Sequence, residues 1–362
     1  MTDLEKARKK INEIDKEMAQ LFEKRMEAVK AVAEYKKANG VRVTDSAREA
    51  EVIKRNSELI ENETLKPYFV SFLQSNMDIS KAYQHRLLEG MRVAYSGVEG
   101  AFANIAANRI FPDAKAVPYA NFKEAYDSVV NGECDCAVLP IENSHNGDVI
   151  QVMDLTFFGT LYINGIYDIE VVQNLLAVKG TTMDEVKRVI SHPQALGQCE
   201  TYIREHGFDE IHAVNTAKAA QKVATNGDKS IAAIASRETA ELYNLKVLDH
   251  DINESNFNTT RFAVFSRAEN TNISGEDNNF LLLFTVSHEA GALAKAISVI
   301  GEYGYNMRLL RSRPVKDSVW QYYFYVEAEG NVNTENGAQM LKALQQYCQQ
   351  LKVAGNYNGG KI

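Results

Sequence analysis

Thr260 and Arg261 stand side by side in the run Asn258-Thr259-Thr260-Arg261-Phe262. A hydroxyl can give and accept a hydrogen bond, and a guanidinium carries a fixed positive charge with several donors. The apolar run Phe262-Ala263-Val264-Phe265 predicts a strand over Thr260–Phe265. Successive strand residues face opposite sides, so both groups reach one cleft only if the strand entrance bends. Read blandly, Thr260 is simply a strand former. A second group of chemical residues lies far upstream. Arg25, Val29, Val32 and Lys36 share one helical face, with the two cations ~16 Å apart along the axis. Two cations with apolar residues between them can bracket a small dianion. Arg8 lies ~25 Å further back, too far for the same ligand but within reach of an antiparallel partner's pocket. Asp45, Arg48, Glu49, Ser80 and Gln84 follow on the next predicted helices, with Ser80 and Gln84 one turn apart. The bland reading of these charges is a solvated helical surface.

Those positions need elements to hold them. Residues 1–90 have Gly40 as their one glycine before the last residue and read as three helices: one to about Ala38, one from Asp45 to about Glu61, one from Pro67 to about Leu88. Thr2-x-x-Glu5 is a capping box, and Asn39-Gly40 ends the first helix. Its stripe of Leu4, Ile11, Ile14, Met18, Leu21 and Phe22 is too broad to stand alone and calls for a second subunit.

From Met91 short strands alternate with amphipathic helices, which is α/β texture. Strands are expected at Arg92–Tyr95, Cys136–Leu139, Glu170–Val178, Arg188–Ser191, Ile231–Ile234 and Thr260–Phe265. The run Tyr167–Lys179 would carry the chain to a second lobe, and the Thr260 strand would carry it back. Polar loops follow three strands: Pro140-Ile141-Glu142-Asn143-Ser144, Ser191-His192-Pro193-Gln194 with Gln198-Cys199, and Asn215-Thr216-Ala217. Helix N-termini there suit carboxylate ligands, although simple capping also accounts for each loop. His192 alone reads as a structural histidine. Asn270–Asn279 reads as a linker. After it comes a βαββαβ pattern, with Trp320 in an alternating strand Val319–Glu327, a helix over Glu335–Gln350, and a frayed tail over Gly355–Ile362.

The totals exclude several classes. A net charge of −8 argues against a nucleic-acid surface. Four scattered cysteines make no disulfide framework, and Cys134-x-Cys136 lacks the second half of a metal site. There is no secretory leader pattern and no membrane-length apolar run. The expectation is a cytoplasmic protein with no metal, cofactor, nucleic acid or membrane partner.

Taken together, Arg8, Arg25, Lys36, Asp45, Arg48, Glu49, Ser80 and Gln84 resemble the active-site pattern of the all-helical chorismate mutases, over residues 1–90. The resemblance implies rearrangement of chorismate to prephenate. Lys36 and Gln84 would donate to the ether oxygen. Arg25, Arg48 and a partner's Arg8 would hold carboxylates, with Asp45 and Glu49 on the substrate's hydroxyl side. Residues 91–268 resemble prephenate dehydratases through Pro140–Ser144 with Gly147, Ser191–Cys199 and Thr259–Phe262. That implies a two-lobed α/β fold similar to periplasmic binding proteins, and loss of CO2 and water from prephenate. Thr260 and Arg261 would be catalytic, and Glu142, Asn143, Ser144, Ser191, Gln198 and Thr216 would line the cleft. Gly-Ala-Phe-Ala at 100–103 replaces the family's commoner Gly-Thr-Phe-Ser.

Residues 279–354 are similar to the ferredoxin-like ACT regulatory domain. Gly291-Ala292-Leu293 and Ser312-Arg313-Pro314 would bind a phenylalanine effector. Arg311 stands where that family's second motif has Glu. The implied protein is a multidomain, bifunctional enzyme of phenylalanine biosynthesis, working as a dimer or tetramer. Two other readings stay open: an arogenate dehydratase, and a non-catalytic amino-acid sensor.

Overall fold

The computed structural model describes residues 2–254, 257–271, 278–315 and 321–361. The chain divides into two units, Met1–Arg92 with Asn131–Asp135, and Val93–Val130 with Cys136–Ile362. Trp320 and Val319, the expected start of a strand, lie outside the described residues, as do Asn272–Asp277 of the expected linker and Ile362 of the tail.

The first unit holds helices α1 (Asp3–Asn39), α2 (Ser46–Ser57) and α3 (Lys66–Glu89). Thr2 and Glu5 close the capping box at one end of α1, and left-handed Gly40 (φ 64°) closes the other. Asp45 accepts from the Arg48 amide at 3.0 Å and starts α2. That helix stops short of the expected Glu61 because Leu59 and Ile60 turn back on Asn56 and Ser57. Ala33 is the one buried residue of α1 among those described. Leu4, Ile11 and Leu21 stay 59%, 56% and 62% exposed, so this chain does not cover its own apolar stripe.

The second unit begins with a lobe built from β1 (Arg92–Ser96), α4 (Phe102–Ile110), β2 (Lys115–Tyr119), α5 (Phe122–Val130), β3 (Cys136–Asn143), β4 (Gly147–Asp148), α6 (Ile150–Phe158) and β5 (Tyr162–Glu170). The other lobe holds β6 (Asn174–Ala177), β7 (Arg188–Ser191), α7 (Pro193–Gly197), α8 (Glu200–His206), β8 (Asp209–His212), α9 (Thr216–Asn226), β9 (Ile231–Ala235), α10 (Arg237–Leu242) and β10 (Lys246–Asp249). Its strands form a five-stranded sheet in the order β10-β6-β9-β7-β8. The next strand, β11 (Thr259–Ser266), returns to the first lobe between β5 and β3.

The crossing between lobes differs from the expected single strand. The run breaks at Val171–Gln173, where the Gln173 amide donates to Asn253 Oδ1 (3.0 Å) and the Val171 amide to the Asn258 carbonyl (2.8 Å). The expected helix over Gln194–Glu205 is likewise two, split at Gln198-Cys199.

The C-terminal module runs β12 (Asn278–Val286), α11 (Ala292–Glu302), β13 (Met307–Pro314), β14 (Tyr322–Glu329), α12 (Glu335–Leu344) and β15 (Cys348–Lys361). Its strands stand in the order β13-β14-β12-β15. Phe280, Leu282, Phe284 and Val326 pack on Ile300, Met340 and Leu344, all buried; each such side chain contributes ~1.5–3 kcal/mol.

The tail is a strand, not a frayed end. Residues Asn358–Lys361 run parallel to Gly165–Asp168 of β5, which joins the module to the first lobe in one ten-stranded sheet. The glycines make this approach possible. A Cβ on Gly355 would fall 2.1 Å from the Ile163 carbonyl oxygen, and one on Gly359 would fall 2.4 Å from that of Ile166. The other face of β14 is buried too. Tyr323 donates to Asp154 at 3.0 Å and stacks on Phe157, both on α6.

No described helix is long and apolar enough to cross a membrane. Among the described residues no cluster of His, Cys, Asp and Glu is placed to hold a metal ion.

Candidate functional site

In the helical unit the α1–α3 contact carries the polar cluster. Arg25 donates to Ser80 Oγ and, at 3.4 Å, to the Asn76 carbonyl. Partial burial lowers the Arg25 pKa from the usual arginine value. Ser80 and Gln84 are both buried on α3. Gln84 spends Nε2 on the Ser80 carbonyl at 3.3 Å, while its buried Oε1 finds no partner among the described residues. A buried amide left half satisfied marks a place for a polar ligand. Asn76, which sequence reasoning passed over, presents a second such oxygen.

The other expected residues except Arg8 bond other partners. Lys36 donates to the Val43 carbonyl at 2.7 Å. Asp45 is occupied as the α2 cap, Arg48 pairs with Glu51 at 2.7 Å, and Glu49 pairs with Lys81 at 3.1 Å. Arg8 is exposed on α1.

In the second unit a cleft of about 500 Å³ opens between the lobes. Its lining includes Gly97, Phe102 and Phe122 from one lobe, His192, Gln194 and Thr216 from the other, with Gln173, Asn143 and Thr260 at the crossing. The first turns of α4 and α9 border it, so backbone amides and positive dipole ends face the space. Ala101 and Ala103 also line it, so the positions where the similar family carries hydroxyls are apolar here. Among the lining residues His192 is the one titratable side chain.

Thr260 is 9% exposed and sits under Asn143. The Asn143 amide cannot be turned around. Its Oδ1 accepts from the His145 and Asn146 amides, both at 3.0 Å. Nδ2 therefore points the other way and donates to Asn258 Oδ1 (3.0 Å) and Thr260 Oγ1 (2.9 Å). The Thr260 oxygen is already an acceptor, so its own hydrogen is left to be given into the cleft. Gln198 lines the cleft and receives a bond from Gln173 at 3.3 Å. His192 accepts from the Gln194 amide through Nδ1 at 3.2 Å, which leaves hydrogen on Nε2 of the neutral ring.

Four expected residues of this site are not in the cleft. Arg261 points to the opposite face from Thr260, as ordinary alternation requires, while Phe262 returns to the cleft side. No bend at the strand entrance brings Arg261 round. It makes a two-pronged ion pair with buried Glu327, 2.9 Å on each prong, and reaches Glu142 at 3.4 Å. Burial by itself would lower the Arg261 pKa, but the bonds and charge of Glu327 raise it above the usual arginine value. Glu142 faces the same way as Arg261 and is also bonded by Arg311. Ser191 is fully buried and donates to the Ile234 carbonyl at 2.6 Å, bracing β7 against β9. Ser144 is exposed, donating to the Phe257 carbonyl at 2.7 Å and accepting from the Thr259 amide at 3.0 Å.

Sequence reasoning missed Gln173 because it sits in a run that read as one strand. It also passed His192 over as structural. The polar pair Gln173-Asn174 inside an apolar run was the available signal. In the C-terminal module, Gly291 (φ 80°) caps α11, with Ala292 and Leu293 in its first turn. Ser312, Arg313 and Pro314 close β13. Registers Thr285↔Tyr323 and Arg313↔Tyr323 put both segments at one end of the sheet.

Residues 93–270 match the family model for prephenate dehydratase, and residues 7–85 match that for chorismate mutase type II. Arogenate dehydratase/prephenate dehydratase 2 of Arabidopsis thaliana is 31% identical over 345 residues, which cover 92% of this chain and 87% of the relative. The bifunctional chorismate mutase/prephenate dehydratase of Aquifex aeolicus is 29% identical over 368 residues, 99% of this chain and 98% of that one. A prephenate dehydratase of Arthrobacter aurescens, solved in complex with L-Phe, superposes with a TM-score of 0.68 at 26% identity, over 74% of this chain and 90% of that one. With both domains in one chain and a relative aligned almost end to end, this chain belongs to the bifunctional chorismate mutase/prephenate dehydratase family.

Proposed function

We propose that the helical unit converts chorismate to prephenate and that the interlobe cleft converts prephenate to phenylpyruvate. The first step is an internal rearrangement, so the site holds the reactive conformer and stabilises charge on the ether oxygen. Arg25 binds a carboxylate beside Ser80, and Lys36 exchanges its Val43 carbonyl for the ligand. Gln84 swings Nε2 off the Ser80 carbonyl to donate it to the ligand. Arg48 assists at a carboxylate, while Asp45 and Glu49 orient the hydroxyl side. Arg8 serves a neighbouring subunit's pocket, which makes a dimer the minimal unit; the uncovered stripe on α1 supports this.

In the cleft, the ring carboxylate leaves as CO2 and its bonding electrons aromatise the ring. The ring hydroxyl departs as water while the Thr260 hydroxyl donates to it, and solvent supplies the one proton that the reaction consumes, so Thr260 ends the step as a hydroxyl. Asn143 steadies the oxygen that remains. The observation that carries this reading is the fixed Asn143 amide, which makes Thr260 Oγ1 an acceptor on one side and a donor on the other. Gln198 and Thr216, with the amides of α4 and α9, hold the pyruvyl carboxylate.

Residues 279–354 serve as a ferredoxin-like ACT domain in which phenylalanine binds at Gly291–Leu293 and Ser312–Pro314 and feeds back on turnover. The strand order of the C-terminal module and the L-Phe complex of the Arthrobacter relative support this. The protein acts in the cytoplasm. Several relatives are arogenate dehydratases, so the cleft is also to be assayed with arogenate, the second reading.

A reciprocal pair of variants tests the division. Lys36→Ala should lose mutase turnover by about 10²–10³-fold with dehydratase turnover intact, and Thr260→Val should do the reverse. Chorismate consumption and phenylpyruvate formation are read separately on each. Loss of both activities in one folded variant, or a near-normal dehydratase rate in Thr260→Val, overturns the assignment.

A further inference from the structure

We propose that Arg311 is a positioning residue of the dehydratase site, acting from the C-terminal module through the β3–β4 hairpin on Asn143 and Thr260. This rests on the reading of Thr260 given above. The hairpin pairs Glu142 with Asp148 and Asn143 with Gly147. Two carboxylates directly across a ladder repel and open it. Arg311 bridges them: Nη2 bonds Glu142, and Nε lies 2.8 Å from Asp148 Oδ1. Arg261 does not replace it, because its short contacts go to Glu327 and it stands 3.4 Å from Glu142.

The bridge matters because the hairpin sets Asn143. The turn it closes supplies the two amides that fix Asn143 Oδ1, and so aims Nδ2 at Thr260. A hairpin opened by repulsion releases that amide and lets the Thr260 hydroxyl rotate away from the leaving oxygen. The charge at 311 is therefore tied to this arrangement. The glutamate that the similar family carries there would add a third carboxylate beside Glu142 and Asp148. Arg311 reads as a link from the module to the cleft rather than a damaged effector ligand.

The test uses the full chain and four variants: Arg311→Gln, Arg311→Lys, Thr260→Val, and Thr260→Val with Arg311→Gln. Prephenate kcat and KM are measured, with mutase rate and melting temperature as controls. Arg311→Gln should lower kcat about 10-fold or more, since small misplacements at a reacting centre are costly, and leave KM within about twofold. Arg311→Lys should recover part of the loss. In the Thr260→Val background Arg311→Gln should cost nothing further. Unchanged kcat in Arg311→Gln, or a full additional loss in the double variant, overturns the proposal. A near-normal Thr260→Val rate instead overturns the reading of the cleft. Should Arg311→Gln melt markedly earlier than the parent, adding Asp148→Asn removes the repulsion: kcat returning toward the parent value then supports the proposal, and kcat staying low in that restabilised variant overturns it.

Discussion

The helical unit and the interlobe cleft handle dicarboxylates in opposite ways. The first offers formal charges: Arg25 on Ser80, Lys36 on a carbonyl, Arg8 and Arg48 toward solvent. The second offers none among its lining residues, only amides, hydroxyls, helix ends and one imidazole. The chemistry explains the difference. In the rearrangement both carboxylates persist, so cations can grip them throughout. In the dehydration one carboxylate must become neutral CO2. A guanidinium paired with it would stabilise the ground state more than the transition state and slow the reaction. On this view Arg261 faces away for a reason: it is spent on Glu327, and the cleft gains from its absence.

The sharpest way to break that contrast is to put a cation into the neutral cleft. Gln173→Arg, in the cleft beside Asn143 and Thr260 where the ring carboxylate is lost, should lower KM for prephenate, because a dianion meets a positive charge, yet reduce kcat by about 10-fold. Steady-state kinetics on the folded variant check it. A rise in kcat would mean that the cleft lacks charge for some other reason.

How far the sequence foretold this contrast depended on local signals. Helix ends were legible because Thr2, Gly40, Asp45 and Asn215 each do a local job at a terminus. Strand β7 was legible because Arg188–Ser191 is bounded on both sides. The tail strand was not, since a glycine-rich end carries no strand signal, and only the β5 carbonyls beside Gly355 and Gly359 show why side chains are excluded there. Within the cleft, parity decided the outcome. Alternation alone separates Thr260 from Arg261, and likewise Asn143 from Glu142. The family pattern grouped all four, and the fold splits them between two faces. Nothing local could reveal that Ser191 points at Ile234, because that partner lies 43 residues on.

Salt should separate the two sites more gently. Half-exposed cations lose attraction as the Debye length falls from ~14 Å at 0.05 M to ~4 Å at 0.5 M, whereas short-range amide bonds inside a cleft are less screened. Mutase kcat/KM should fall about threefold over that range, and dehydratase kcat/KM by less than about half as much. Equal salt slopes would erase the distinction.

The smallest effect probes where the cleft ends. Ser191 ends β7 in a motif shared with the family, yet its hydroxyl is buried against the Ile234 carbonyl at 2.6 Å and lines no part of the cleft. Replacing it by alanine removes one buried hydrogen bond and leaves that carbonyl with less than its full complement. Ser191→Ala should therefore cost about 1 kcal/mol of stability in denaturant unfolding, while kcat and KM for prephenate hold. The split is diagnostic, because a cleft residue of the same size does the reverse: Thr216→Ala changes turnover or KM before it changes stability. If Ser191→Ala instead lost turnover with its stability intact, β7 would have to present that hydroxyl to the substrate. The boundary between bracing residues and binding residues would then move one position toward the core.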